Sequence, residues 1–210
     1  MSGRNNASPD ETYRSVVGNL EDRGVFRSAS VPFAEQGRTS SAAGADPYGA
    51  ASPGMACLPC ALQELTGGPV CVAYRPNGAP YLSGSSLHIS ISHTKGYAAV
   101  LLQNRPAAGI DIEYRSERVS KIRSRFMNSE EEAGIDKEHE TEHLLLHWCA
   151  KETLFKMIGQ EEVDFLHHLH VRPFPMRKKG VSPSIETRTE EGAVYRLDYL
   201  VTPDFVLTRS

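Results

Sequence analysis

The stretch Trp148–Lys156, which reads WCAKETLFK, is the most informative segment of this chain of 210 residues. Helical spacing puts an aromatic anchor, a carboxylate and flanking lysines on one face or at its border. These residues are Trp148, Lys151, Glu152 and either Phe155 or Lys156. With carboxylates from a nearby strand, such a face can bind a divalent cation and an anionic ligand together. The pattern therefore indicates phosphate chemistry without a P-loop.

A second acidic segment lies earlier in the chain, in Gly109–Glu113 (GIDIE). Asp111 and Glu113 stand at i and i+2 of a predicted strand, so both side chains project from one sheet face, with Cα atoms roughly 7 Å apart. Mg²⁺ prefers hard oxygen ligands from carboxylates, substrate phosphates and water. Asp111 and Glu113 could therefore share one ion, with Glu152 as its third ligand. A lone Asp-x-Glu pattern is also typical of ordinary surface acids.

The segment Ile91–Thr94 (ISHT) ends another predicted strand just before a turn. His93 at that place can donate a hydrogen bond to a phosphate, and the hydroxyls of Ser92 and Thr94 add further donors. The alternative is that His93 has a packing or capping role.

The composition excludes several classes of protein. A formal charge of −3 and a pI near 6.2 give no overall footprint for nucleic acid. No apolar run reaches membrane-spanning length, and the first residues lack the apolar region of a signal peptide. The four cysteines show no disulfide framework. We therefore expect a cytoplasmic protein with no nucleic-acid or membrane partner.

The order of elements predicts an α+β fold with antiparallel hairpins. Helices are predicted at 119–126, 129–134 and 140–158, the second with a capping box of Ser129 and Glu132. Strands are predicted at 70–74, 88–92, 97–102, 108–113, 169–174, 184–188, 194–201 and 205–208. Residues 1–60 have no clear periodicity and are predicted to be irregular.

The order of the motifs resembles the 4′-phosphopantetheinyl transferases, and most closely their broad-specificity, pseudo-dimeric type. The motifs are, in chain order, Gly78-x-Pro80, Ser92-His93, Gly109–Glu113, Arg125-Phe126 followed by Glu131, and Trp148–Lys156. The resemblance spans about Ala61 to Arg209. It implies a pseudo-dimer of two similar lobes, in which 61–107 is the remainder of the N-terminal lobe and 108–210 is the catalytic lobe with the metal site.

The resemblance also implies an activity and its partners. A monomer would transfer the 4′-phosphopantetheine group of coenzyme A to a serine of an acidic apo acyl or peptidyl carrier protein, with Mg²⁺ as cofactor. The serine hydroxyl would attack the β-phosphorus and release adenosine 3′,5′-bisphosphate.

Roles for single residues follow from the same resemblance. The metal ligands would be Asp111, Glu113 and Glu152. The contacts to coenzyme A would come from Ser92, His93, Lys151 and Lys156. Glu152, or Glu131 through a water molecule, would take the proton from the attacking serine. Trp148 is expected to pack against the lobe interface rather than to touch substrate.

A locally basic segment follows the acidic strand. Its basic residues are Arg115, Arg118, Lys121, Arg123 and Arg125, interrupted only by Glu117. The segment could steer an acidic carrier protein despite the net negative charge. The alternative is an ordinary solvated helix face.

The chain departs from the family in its first part. Ala79 stands where family members commonly have a basic residue that contacts coenzyme A. Permitted codons for Pro53–Leu62, read one base later, give Arg-Glu-Trp-Leu-Ala-Ser-Arg-Ala-Leu, which resembles a helix that members of this type have there. We therefore hypothesise that 1–60 is an out-of-frame remnant of the N-terminal lobe, or is disordered. A catalytically impaired, carrier-binding pseudoenzyme is then an alternative function.

A remote alternative comes from His139–His143, which matches the His-Glu-x-x-His pattern of zinc metalloproteases. Histidines at i and i+4 share a helix face, so zinc geometry is available. The segment is polar on every side, however, and a solvated helix start is the expected reading.

Overall fold

The structure, a computed structural model, describes residues 13–19, 25–27, 62–63, 65–95, 97–159, 162–188 and 192–210. The described residues form an α+β fold with antiparallel sheets, as predicted. The strands are β1 (Tyr13–Asn19), β2 (Val25–Arg27), β3 (Val72–Tyr74), β4 (Pro80–Leu82), β5 (His88–Thr94), β6 (Tyr97–Gln103), β7 (Ile110–Tyr114), β8 (Leu169–Val171), β9 (Lys179–Glu186), β10 (Ala193–Val201) and β11 (Phe205–Arg209). The α-helices are α1 (Arg118–Ile122), α2 (Ser129–Ala133) and α3 (Glu140–Ile158), and a 3₁₀ turn (Arg123–Arg125) follows α1.

Two main sheets organise the described residues. The first has four strands in the order β2-β1-β6-β5, and the second has five in the order β7-β11-β10-β9-β8. Strands β3 and β4 form a separate hairpin. The two main sheets meet through β5 and β7, which are edge strands of their own sheets. The strand with the two predicted metal ligands therefore lies at the junction of the sheets.

Side-chain hydroxyls join the edge strands β5 and β7. The hydroxyls of Ser90, Ser92 and Thr94 accept hydrogen bonds from the backbone N–H groups of residues 110, 112 and 114, at 3.1, 3.3 and 3.0 Å. The period of two along β5 puts all three hydroxyls on one side of the strand. We call these three contacts the hydroxyl ladder. They satisfy edge N–H groups that would otherwise be unpaired in a partly buried position.

Helix α3 packs across the five-stranded sheet and covers the larger apolar core. Its bounds, Glu140–Ile158, are those predicted from the sequence, and it ends at Gly159 in the left-handed conformation (φ 89°) that favours glycine. Leu144, Leu146 and Leu154 on this helix are fully buried. Burial of a leucine side chain contributes about 1.5–3 kcal/mol, so this face fixes the helix to the sheet.

The helix approaches the sheet most closely at Gly109, just before β7. A Cβ atom there would lie 2.5 Å from Cγ of Met157 and 2.6 Å from the backbone oxygen of Thr153. Only glycine leaves room for the helix at this distance. The hydroxyls of Thr153 and Thr208 lie 2.6 Å apart and tie the same turn of α3 to β11.

Some local predictions were wrong. The capping box of α2 is formed by Asn128 and Glu131, one residue before the predicted Ser129 and Glu132. Both pairs have a good N-cap residue and an acid three positions later, so the local pattern could not choose between them. The strand predicted at 184–188 is Lys179–Glu186. Gly180 and Pro183 lower the strand signal of its first half.

Two strands lie within the segment that was predicted to be irregular. Strand β1 pairs along its whole length with β6, and β2 pairs with β1. This pairing corrects the prediction for 13–19 and 25–27. Local periodicity does not register the β6 partner of β1, because the paired residues are 78 to 90 positions apart in the chain. The stretch around Met55, on which the out-of-frame hypothesis depends, lies outside the described residues. Within the described part of the chain, no helix is long and apolar enough to cross a membrane.

Candidate active site

Asp111 is the centre of a buried polar cluster at the junction of the sheets. It lies on β7 and is 4% exposed. One of its carboxylate oxygens, Oδ1, accepts hydrogen bonds from the Ser92 hydroxyl at 2.7 Å and from Nζ of Lys156 at 2.8 Å. The other oxygen, Oδ2, is buried and has no hydrogen-bond partner. A buried carboxylate oxygen without a partner is costly, so Oδ2 is available to a ligand.

Glu113 and Glu152 lie close enough to Asp111 for its charge to act on both. Burial, and next the charge of Asp111, raise the pKa of Glu113 to about 7. Burial and the same charge raise the pKa of Glu152 to about 7, and Glu113 adds a smaller repulsion. The structure therefore brings the three predicted metal ligands into one cluster of mutually repelling carboxylates. Lys156 partly offsets the repulsion at both glutamates.

The donor atoms of the cluster are of the kind that a divalent cation prefers. The cluster offers hard oxygen ligands, an unpartnered oxygen on Asp111, and two acids whose pKa values are raised first by burial and next by the charge of Asp111. Across the described ranges, however, no three His, Cys, Asp or Glu side chains are already arranged as a set of metal ligands. Lys156 holds one carboxylate oxygen of Asp111, and the Trp148 indole holds one of Glu113.

Lys156 reaches the cluster from the last turn of α3. Its ammonium group donates to the backbone oxygen of Ile110 and to Asp111, both at 2.8 Å, and its side chain is 20% exposed. A lysine ammonium has three N–H donors, so one remains for an anionic ligand. This position is compatible with the phosphate contact predicted for Lys156.

Cys149 lies beneath the carboxylates and was not predicted to be part of the site. It is fully buried, and burial, then Asp111 and Glu113, raise the pKa of its thiol well above the ordinary value. The thiol donates weakly to the backbone oxygen of Val206 at 3.9 Å. Cys149 therefore stays protonated, and its thiol also interacts with Asp111. The feature of the sequence that could have indicated Cys149 is its position beside the helical turn that bears Glu152.

Lys151 and Glu131 occupy a different place from the one expected for site residues. Lys151 is 0% exposed, Glu131 is 2% exposed, and their charged groups pair at 2.9 Å. The Lys151 ammonium also donates to the backbone oxygens of Phe126 and Phe165. Glu131 also accepts from the backbone N–H groups of Asn128 and Val171. All donors of Lys151 are in use inside the core, so this arrangement offers no phosphate contact, and it leaves Glu131 no role as a base.

The two predicted coenzyme A contacts on β5 differ in exposure. The Ser92 hydroxyl is buried and is used by Asp111 and by the hydroxyl ladder, so it positions a carboxylate rather than meeting solvent. His93 points to the other side of the strand and is exposed. It remains accessible to an anionic ligand.

Residues 107–208 match the family model of the 4′-phosphopantetheinyl transferase superfamily. This region is a member of that superfamily. The match contains Asp111, Glu113, Glu152 and Lys156, and it supports a transferase. No curated protein matches the chain.

Acidic side chains of helices α2 and α3 neutralise part of the basic segment. Arg115 pairs with Glu142, and Arg123 pairs with Glu132 and Glu140. The remaining basic side chains, Arg118, Lys121 and Arg125, are exposed and form no ion pair within the described part of the chain.

The histidines of the His-Glu-x-x-His pattern do not share a site. His139 is an exposed residue beside Asp136, whereas His143 is 1% exposed and accepts a hydrogen bond from the Asp136 backbone at 3.0 Å. The expectation of a solvated helix start was therefore wrong for Glu142 and His143, which are both buried. Their burial follows from packing against the body of the protein, which local polarity does not indicate.

Proposed function

We propose that this protein transfers the 4′-phosphopantetheine group of coenzyme A to a serine of an apo carrier protein. The observation that supports this best is the clustering of Asp111, Glu113, Glu152 and Lys156 inside the region that matches the superfamily. A set of buried acids with one lysine suits a reaction in which a pyrophosphate must be bound and its charge neutralised.

Asp111, Glu113 and Glu152 would hold Mg²⁺ in this proposal. The unpartnered Oδ2 of Asp111 is the first available ligand. Burial is the main cause of the raised pKa values of the two glutamates, and the charge of Asp111, which a cation would compensate, is the second. When bound, the ion would neutralise charge on the pyrophosphate oxygens. Manganese, with similar preferences for oxygen ligands, is an alternative occupant.

Glu152 is our candidate for the general base. Its carboxylate comes from helix α3 and, when ionised, can accept a proton from an attacking serine hydroxyl. In the transfer, the serine oxygen forms a bond to the β-phosphorus, and the bond to the leaving adenosine 3′,5′-bisphosphate breaks. Lys156 would donate its free N–H to a phosphate oxygen, and exposed His93 would contact a phosphate of coenzyme A.

The acidic carrier protein would dock near the basic segment. Arg118, Lys121 and Arg125 are the basic residues there that remain without an ion-pair partner in the described part of the chain. Complementary charge would speed the encounter rather than provide most of the affinity, so the effect should weaken with salt.

We further propose that the four-stranded and five-stranded sheets represent the two lobes of a pseudo-dimer in a cytoplasmic monomer. The hydroxyl ladder would then lie at the lobe junction. Whether residues before 61 are an out-of-frame remnant is a separate hypothesis, and resequencing of the coding region tests it directly.

The decisive experiment is a transfer assay with a fluorescent coenzyme A, Mg²⁺ and an apo carrier protein. We expect label on the carrier, and loss of transfer in Glu152→Gln and in a chelated sample. Arg196→Gln is a matched surface control, because Arg196 lies on β10 and takes no part in the cluster. Carrier binding without transfer by the unchanged protein would contradict the proposal and favour the pseudoenzyme.

A further inference from the structure

Trp148 is bonded to one of the proposed cation ligands. Its indole N–H donates to Oε1 of Glu113 at 2.9 Å, across 35 residues of chain. The indole nitrogen can only donate a hydrogen bond, so it takes no proton from Glu113. It occupies one oxygen of the Glu113 carboxylate. The side chain of Thr94 also forms a hydrogen bond with Glu113. Packing alone, which the sequence predicted for Trp148, does not require this bond.

The indole ring is itself held between two aromatic rings. The Phe126 ring meets it edge-on with centroids 5.2 Å apart, and the Phe165 ring is tilted against it at 5.4 Å. Such pairs contribute about 0.5–1.5 kcal/mol each beyond the area that they bury. The ring orientation, and with it the direction of the N–H, is therefore well determined.

The buried ion pair fixes the two residues that hold the indole. The ammonium of Lys151 donates to the backbone oxygens of Phe126 and Phe165, and Glu131 fixes that ammonium at 2.9 Å. A continuous set of contacts thus runs from a core salt bridge, through two aromatic rings, to a carboxylate of the candidate site. Since the ammonium is completely buried, its part in this set is positional and not that of a ligand contact.

We propose that Trp148 is a positioning residue of the cation site: its N–H fixes Oε1 of Glu113 and directs the other oxygen to the ion, while the Glu131–Lys151 pair fixes the indole. This inference rests on the proposed function, because it assumes that Glu113 binds a cation. Hydrogen-bonded partners of metal-binding carboxylates typically contribute 10–100-fold to metal affinity. Trp148 and Lys151 of the same helical motif would then act on the site through Glu113.

The single tryptophan of the chain makes the inference directly testable. A ¹H–¹⁵N spectrum will show one indole cross-peak, which we expect to shift in Glu113→Gln and on addition of Mg²⁺. Binding of Mn²⁺, followed by the EPR signal of the free ion, should be about 10–100-fold weaker in Trp148→Phe than in the unchanged protein. Phenylalanine keeps an aromatic ring against Phe126 and Phe165, removes the N–H donor and also reduces the ring volume, so packing controls are needed.

Two further variants separate positioning from packing. Phe155→Leu is the control, because Phe155 touches the Phe165 ring at 5.3 Å and has no contact with the indole among the described ring pairs. We expect its Mn²⁺ affinity to stay within about two-fold of the unchanged protein. Phe165→Leu should shift the indole cross-peak and weaken Mn²⁺ binding, and it keeps the backbone oxygen that Lys151 needs.

The outcomes distinguish this inference from the proposed function. If Asp111→Asn abolishes Mn²⁺ binding and Trp148→Phe binds as tightly as the unchanged protein, the positioning role is wrong and the cation site stands. The positioning role would also be wrong if the indole cross-peak shifts neither in Glu113→Gln nor on addition of Mg²⁺. If the unchanged protein binds no Mn²⁺, the cation site and this inference both fail.

Discussion

Replacement of Gly109 by alanine should damage both stability and the candidate site. The new Cβ would lie 2.6 Å from the backbone oxygen of Thr153, whereas ordinary contacts begin at about 3.4 Å, so α3 must retreat by about 0.8 Å. Cγ of Met157 is also too close, at 2.5 Å, but it belongs to a flexible side chain and can move. The backbone oxygen lies within a helix turn and can move only with the helix.

The cost can be worked from this displacement. Overpacking of this kind typically costs 1–3 kcal/mol, and the gain from restricting the unfolded chain offsets about 0.4–1 kcal/mol. We therefore expect Gly109→Ala to lower the free energy of unfolding by about 1–2 kcal/mol. The bond from Lys156 to the oxygen of Ile110 is 2.8 Å long, and a retreat of the helix would strain it and shift the lysine relative to Asp111. Misplacement of reacting groups by 1 Å can cost about 100-fold in rate.

Urea unfolding and the carrier-transfer assay measure the two effects. Gly134→Ala is the matched control, because a Cβ there meets its nearest atom at 3.5 Å and the residue has a φ of −86°. It should be neutral or slightly stabilising. If Gly109→Ala matches Gly134→Ala in both unfolding free energy and transfer rate, the argument from close approach is refuted.

Three other predictions follow from the contacts of the buried polar groups. Ser92→Ala should weaken Mn²⁺ binding, measured by EPR, more than Ser90→Ala does. Each variant loses one contact of the hydroxyl ladder, but only Ser92 also forms a hydrogen bond with Asp111. Lys151→Met should lower the free energy of unfolding by about 3–5 kcal/mol, and Glu131→Gln in the same chain should recover part of it, measured by urea unfolding. Glu152→Gln should melt above the unchanged protein at about pH 8 in chelator, with a smaller difference at about pH 5.

The sign of the last prediction follows from the raised pKa of Glu152. The folded protein holds this proton up to about pH 7, whereas the unfolded chain releases it near the ordinary value of 4.5. Stability from this group is therefore lost as the pH rises from about 4.5 through about 7, and glutamine has no such loss. A difference in melting temperature that does not change with pH would contradict it. Equal Mn²⁺ affinities for Ser92→Ala and Ser90→Ala would contradict the first prediction. No recovery of stability when Glu131→Gln is added to Lys151→Met would contradict the second.

The elements around the site were predictable because their signals are local. Helix α3 has an apolar pattern and ends at a glycine, and strands β5 to β7 alternate or are continuously apolar between turn residues. The spacing of Asp111 and Glu113 on one strand predicted a shared sheet face, and the charge of Asp111 acts on Glu113. Each of these features depends only on residues of the same helical turn or the same strand.

The parts that sequence reasoning missed depend on long-range packing. The sequence put Lys151 at the border of an exposed face, but the helix rotates it into the core, where Glu131 from α2 neutralises it. Ionisable residues are seldom completely buried, so a charged side chain was expected to face a ligand. Likewise, nothing local to Ser92 shows that its hydroxyl will meet Asp111, because that contact exists only when two sheets come together.

The hydroxyl ladder has a consequence for any attempt to isolate the superfamily region. A fragment that begins at residue 107 would contain β7 and all the proposed ligands, but it would lack Ser90, Ser92 and Thr94. Three N–H groups would lose their acceptors, and the central aspartate would lose one of its two hydrogen-bond donors. We therefore expect the isolated segment to be less stable than the whole chain and to bind Mn²⁺ more weakly.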